Sequence, residues 1–156
     1  MAKSKKPTAA PSILNRRARF DYELGDELVV GMELTGPEVR SARDGHVQLK
    51  GAYVAVRNNE LWLQNASFSL KLNQAGKPGA RSIDDGPKKL LAKRREIDTL
   101  VAQKKQGMSI VPTKLLTQGR FIKLVVALGK GKKNYDKRET IKRRDQDRET
   151  QRQLKR

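Results

Sequence analysis

Aliphatic residues all but run out at Leu128. Residues 129–156 contain two more, Ile141 and Leu154. Two such side chains cannot make a packed core, so whatever folds is built before Gly129, and the remainder is a charged arm. The boundary is the run Gly129-Lys130-Gly131-Lys132-Lys133-Asn134-Tyr135-Asp136-Lys137-Arg138. Its glycines let the backbone turn sharply or approach a ligand closely. Its lysines and arginine offer point charges to phosphates. The competing reading is a solvated, flexible linker.

Charge obeys the same division. The 156-residue chain carries a formal net charge of +18, and residues 129–156 hold 12 basic groups against five acidic ones. Residues 1–20 hold six basic groups (Lys3, Lys5, Lys6, Arg16, Arg17 and Arg19) and no acid. The body between the two ends is only mildly basic. Such a balance favours polyanionic partners, nucleic acid first and an anionic membrane surface second. Cysteine is absent, which excludes disulfides, thiolate metal sites and cysteine nucleophiles and suits a reducing, cytoplasmic setting. The N-terminus has basic residues without an apolar h-region, so it does not read as a secretory signal. No apolar run approaches membrane-spanning length.

Residues 1–14 read as a disordered basic N-terminus, polar and broken by Pro7 and Pro11. Next comes Asn15-Arg16-Arg17-Ala18-Arg19-Phe20-Asp21-Tyr22, three arginines with two aromatics. In RNA binding, rings stack on bases while arginines hold phosphate. Phe20 and Tyr22 are therefore either stacking rings or plugs at the edge of a core. Leu28–Leu34 reads as a strand with a glycine bend. Thr35–Gly45 reads as a short helix, with Pro37 in the first turn, Glu38 near the positive end and Gly45 as the stop. Arg40 and Arg43 share one face of it, either solvated or phosphate-binding.

Short strands come next: Val47–Leu49, then Ala52–Arg57 and Glu60–Gln64 joined by an Asn58-Asn59 turn, then Phe68–Leu72. Leu61 and Leu63 share a face, and Phe68, Leu70 and Leu72 are expected inward. Trp62 takes the opposite face, as a stacking platform or as cover for a second apolar layer. Asn73–Pro87, rich in glycine, proline and charge, reads as a mobile loop. The spacing predicts a helix over Lys88–Lys105, ended by Gly107, and a long strand over Arg120–Leu128. On that strand Lys123 points opposite to Ile122 and Leu124, towards solvent. This is a mainly β pattern: a small oligonucleotide-binding-type antiparallel barrel with flanking helices and a basic C-terminal tail. The sequence holds no metal cluster, no cofactor motif and no opposed carboxylate pair. His46 is the lone histidine, without a nucleophile or base partner, so no catalytic residue is assigned.

Several ordered motifs also resemble one known family. They are Asn15-Arg16-Arg17-Ala18 with Tyr22; Leu34-Thr35-Gly36 through Glu38-Val39-Arg40-Ser41 and Arg43; Tyr53-Val54; Lys89-Leu90-Leu91 with Arg95-Glu96-Ile97; and Lys130-Gly131-Lys132-Lys133 with Asp136-Lys137-Arg138 and Ile141-Lys142. From about Asn15 to Lys142 the chain is similar to the SmpB, or SsrA-binding protein, family. The resemblance implies a protein without covalent chemistry. Its body, 15–133, binds the tRNA-like part of transfer-messenger RNA, one protein monomer per RNA, and takes it to ribosomes stalled without a stop codon. It implies a tail, 134–156, that is disordered when free and enters the empty messenger channel, lined by small-subunit RNA, as a helix. Residue by residue, it adds Glu38, Arg40, Leu91, Lys123, Lys130, Lys132 and Lys133 to the RNA-binding set of Arg16, Arg17, Arg19, Phe20 and Tyr22. It puts Asp136, Lys137, Arg138, Ile141 and Lys142 in the ribosome-binding tail. The chain departs from the family in three places. Val29 and Val30 stand where a glutamate and an alanine are usual. Ala92 and Lys93 close the Leu-Leu pattern differently. Asp84-Asp85-Gly86-Pro87 replaces a basic approach. A general basic RNA-binding module or a ribosome-associated structural protein is the alternative.

Overall fold

Two periodicities build the body. Where apolar residues alternate, strands bury every second side chain; where polar stretches begin with a capping residue, short helices form between them. The computed structural model describes residues 12–72 and 79–154. In order these are β1 (Ile13–Leu14), α1 (Arg16–Asp21), β2 (Tyr22–Met32), α2 (Gly36–Arg43), β3 (Val47–Gln48), β4 (Tyr53–Arg57), β5 (Glu60–Gln64), β6 (Ser67–Lys71), β7 (Arg81–Asp84), β8 (Lys88–Leu91), α3 (Arg94–Lys104), β9 (Ser109–Leu116), β10 (Lys123–Gly131) and α4 (Asn134–Leu154).

The main sheet runs β1-β9-β10-β2-β8-β5-β4, and a further β9–β4 pairing at Val54 and Ile110 closes it into a ring. All its pairings are antiparallel. A smaller sheet, β3-β6-β7, packs beside it. The inward side chains are Val30, Val54, Leu61, Leu63, Leu90, Ile110, Leu124 and Val126, all fully or almost fully buried. Ile97 and Leu100 of α3 join the same core. The expected barrel with flanking helices is what forms.

Asn15 explains how the N-terminal motif folds. Its side chain is 6% exposed. Its Nδ2 donates to the carbonyls of Leu49 (3.0 Å) and Pro112 (2.8 Å), and its Oδ1 accepts from Ala18 N (3.2 Å). One amide thus caps α1 and ties it to two other parts of the chain. α2 starts as expected, with Pro37 in its first turn and Thr35 N donating to Glu38 Oε2 at 2.8 Å, a capping box. Gly45, at φ +79°, supplies the left-handed stop.

Four expectations need correction. Ile13 and Leu14, placed in the N-terminal tail, pair with Leu115 and Lys114, so the body begins earlier; residues 1–11 lie outside the described residues. Leu72 is exposed rather than inward, because β6 has ended at Lys71. Arg81–Asp84, inside the expected loop, is a strand that pairs residue by residue with β6; residues 73–78 lie outside the described residues. The helix expected from Lys88 begins only at Arg94, because Lys88–Leu90 pair with Leu63–Leu61 of β5. The arm forms a helix, α4, with no buried residue. Its first turn is anchored to the body, and an anchored turn removes the nucleation cost that defeats an isolated helix.

Candidate nucleic-acid interface

On the outer face of the barrel three strands carry one row. Lys123 of β10 lies opposite Gly31 of β2, and Gly31 lies opposite Leu91 of β8. A Cβ on Gly31 would stand 3.3 Å from the Leu91 Cβ, so a glycine there lets Leu91 lie low across β2. Leu91 is 52% exposed and Val29, two residues before Gly31, is 51% exposed. Lys123 is exposed while Ile122 and Leu124 are buried, as the alternation requires. The row therefore presents an apolar shelf ending in a cation. Trp62 sits half-buried on the outer face of β5, opposite Ala55 and Lys89. Lys89 is engaged with Glu60 at 2.8 Å, and that hydrogen bond raises its pKa.

A second surface, this one basic, lies at the other end of β10. Eight residue steps separate Lys123 from Gly131, about 27 Å along an extended strand. Here Arg16, Arg17 and Arg19 project from α1, exposed, while Ala18 packs inward. Phe20 is half-buried, with the Arg17 guanidinium 5.3 Å and the Arg144 guanidinium 6.0 Å from its ring centroid. Tyr22 is also half-buried, and Gly129 is the reason it fits: a Cβ there would fall 2.9 Å from the Tyr22 Cβ. The close approach that this glycine permits is thus to Tyr22, not to a ligand. Lys130 is exposed opposite Glu23 in the β10–β2 ladder. Lys132 donates from its backbone N to Asp21 O (2.9 Å) and from Nζ to Arg19 O (3.2 Å). Lys133 lies 5.9 Å from the Tyr135 ring centroid.

The sequence alone does not single out Asp21 or Arg144, and they organise this end. Asp21 accepts from Arg17 Nε at 2.7 Å and pairs with Lys137 Nζ at 3.2 Å, joining α1 to α4. Burial alone would push its carboxyl pKa up; the hydrogen bonds from Lys137 and Arg17 outweigh that and hold it below 3.8. The latch is therefore intact at neutral pH and is lost as the pH falls through that lowered value. An open groove of about 750 Å³ between α1, β3 and α4 is walled by Arg16, Arg17, Phe20, Lys50 and Arg144 among others. Asp136 accepts from Lys133 N at 3.2 Å, and Arg138, Ile141 and Lys142 are exposed along α4.

Two proposed contacts come from α2. Arg40 is exposed on α2. Glu38 is turned inward: its side chain is 7% exposed and its Oε1 lies 2.7 Å from Lys88 Nζ. With its other oxygen capping α2, Glu38 has structural work at both ends and is withdrawn from the RNA-facing set. Among the described residues no cluster of His, Cys, Asp or Glu could hold a metal ion, and no helix is long and apolar enough to cross a membrane.

The SmpB protein family matches residues 12–156. An SsrA-binding protein of Shouchella clausii is 40% identical over 142 residues, spanning 90% of this chain and 89% of the relative. Another, of Gloeothece citriformis, is 40% identical over 146 residues, spanning 91% of each. A solved structure described as "tmRNA-SmpB: a journey to the center of the bacterial ribosome" superposes with a TM-score of 0.61 at 33% identity, covering 80% of this chain and 87% of that one. By sequence across nearly its whole length, and by fold, the chain belongs to the SmpB family.

Proposed function

We propose that this chain binds the tRNA-like domain of transfer-messenger RNA and delivers it to stalled ribosomes, where trans-translation rescues the ribosome and tags the incomplete peptide. The observation that carries this reading is the pair of surfaces at opposite ends of β10, an apolar shelf ending in Lys123 on the barrel and a basic surface continuous with an exposed helical arm. One surface serves the RNA. The α1 arginines and rings, with Lys130, Lys132 and Lys133 at the other end, also serve the RNA, and the arm from Asp136 onward serves the ribosome and its empty messenger channel. The chain works as an RNA-binding protein rather than an enzyme, in the cytoplasm, as one monomer per RNA.

Phosphate contacts release counterions, so affinity should fall steeply with salt. The test is a titration of the full-length chain against transfer-messenger RNA and against an unrelated hairpin of similar length, across a salt series. Tighter binding of transfer-messenger RNA at every salt is expected. Equal affinity for both would replace specific recognition with general basic RNA binding.

Lys123 gives a sharper check, because its exposed position separates binding from folding. Lys123→Ala should weaken RNA binding by roughly fivefold, the effect of about one charged contact, and lower the salt slope by about 1. The unfolding midpoint should stay unchanged. A lowered midpoint, with RNA affinity intact in the folded fraction, would assign Lys123 to the structure instead.

A further inference from the structure

The turn between β9 and β10 is held more firmly than a hairpin tip needs to be. Gly119 takes φ +91° there. Arg43, at the end of α2, donates from Nη2 to the carbonyl of Gly119 at 3.3 Å and to that of Arg120 at 3.2 Å. On the far side Ile122 is 5% exposed and joins the core. The residue between these anchors is Phe121, in the bend just before β10. It is 68% exposed, with the Arg120 guanidinium 5.5 Å from its ring centroid. Lys123, the first residue of β10, is also exposed. Residues 117–123 contain no acid; the Arg120 guanidinium lies against the ring, and Lys123 follows two residues on.

An aromatic ring on a fixed tip, with a guanidinium against it and a lysine two residues on, suits one kind of partner. Its π-face can take a planar base, and the cations can take the phosphates on either side. A base inside a duplex has both faces covered, so the ligand must be unpaired. We propose that Phe121 is a stacking platform for one unpaired nucleobase of the RNA the barrel binds, flanked by Arg120 and Lys123. The proposal rests on the RNA-binding reading and extends the Lys123–Leu91 shelf to the hairpin tip.

The experiment uses the full-length chain and two probes: the isolated tRNA-like domain of transfer-messenger RNA, and a blunt RNA duplex without unpaired bases. Phe121→Leu keeps apolar bulk and removes the π-face; Phe121→Trp keeps the face. Expected on the tRNA-like domain is a loss of about tenfold for Phe121→Leu, with the salt slope unchanged, and full affinity for Phe121→Trp. On the duplex both variants should match the unmodified chain. Unfolding midpoints should agree for all three proteins. If the unmodified chain binds the tRNA-like domain and Phe121→Leu binds it equally well, the platform is refuted while RNA binding stands. An equal loss on both probes would also refute it, since a duplex offers no free base. If the unmodified chain binds neither probe, the RNA-binding reading falls and takes the platform with it.

Discussion

Lys88→Met should be among the most damaging single substitutions in this protein. Lys88 Nζ lies 2.7 Å from Glu38 Oε1 and 2.8 Å from Asp84 Oδ2, and the Lys88 and Glu38 side chains are only 8% and 7% exposed. The three residues join β8, α2 and β7, and Lys88 also lies 5.5 Å from the Phe68 ring centroid. Removing the cation leaves a buried carboxylate uncompensated, a change that costs about 3–5 kcal/mol. That corresponds to a drop of roughly 10 °C or more in the unfolding midpoint for a chain of this size. Glu38→Gln combined with Lys88→Met should recover at least half of the loss, because glutamine still completes the capping box with Thr35. Burial disfavours the charged form of Lys88, but its bonds to Asp84 and Glu38 prevail and raise its pKa above 10.5. Asp84 is held below 3.8 by Lys88 first and by the Gly86 backbone N–H second, against the upward push of burial. The Asp84 contribution is thus complete above pH 3.8 and fades as acid carries the pH through its lowered value. The Lys88 contribution is complete below pH 10.5 and fades as the pH rises through its raised value. Urea unfolding of the two variants at neutral pH provides the measurement. A loss below about 1 kcal/mol for Lys88→Met would show the triad to be no more than a surface pairing.

These inward-facing charges also show where sequence reasoning stops. Asn58 and Asn59 mark the β4–β5 hairpin because asparagine tolerates the left-handed backbone they adopt, at φ 49° and 59°. Lys123 could be placed outside because strand alternation is local information. Leu90 and Leu91 misled because two adjacent leucines suit a helical stripe and a strand alike; the pairing with β5 and β2, not the local pattern, decided. The first half of β2 was missed since Glu23–Glu27 has no apolar alternation: its strand state comes from the ladder with Ala127–Gly131. Glu38 looked available because nothing in a sequence says that a lysine fifty positions on will reach it inside the fold. The basic residues were legible as composition, but the separation of the two surfaces along β10 needed the closed barrel.

The arm should divide the two tasks of the protein. A chain ending at Lys133 keeps the barrel shelf of Val29, Leu91 and Lys123, so it should bind transfer-messenger RNA within about fivefold of the full-length chain, losing only some phosphate attraction. Its ability to add the peptide tag on a ribosome stalled at a messenger end should collapse. A tethered second contact strengthens engagement by about a hundredfold or more, and the arm is proposed as that contact. Its charge is uneven. Residues 137–144 hold Lys137, Arg138, Lys142, Arg143 and Arg144 against Glu139 alone, whereas residues 145–154 hold Arg148 and Arg152 against Asp145, Asp147 and Glu149. The near part is also the anchored part, through Lys137 to Asp21 and Arg144 to Phe20. The far part has the like-charged i,i+4 pair Asp145 and Glu149 and no apolar support, so it should fray in the free protein and become ordered in an RNA-lined channel. Hydrogen exchange should therefore find amides of the near part protected in the free chain and those of the far part open. A chain ending at Arg144 should keep the salt slope of ribosome binding yet lose about 15 Å of helical reach, and with it part of the tagging. Full tagging by the chain ending at Lys133 would reject any essential reading of the channel by the arm. Loss of transfer-messenger RNA binding in that chain would recast the arm as an affinity element, and uniform protection along α4 would reject coupled ordering.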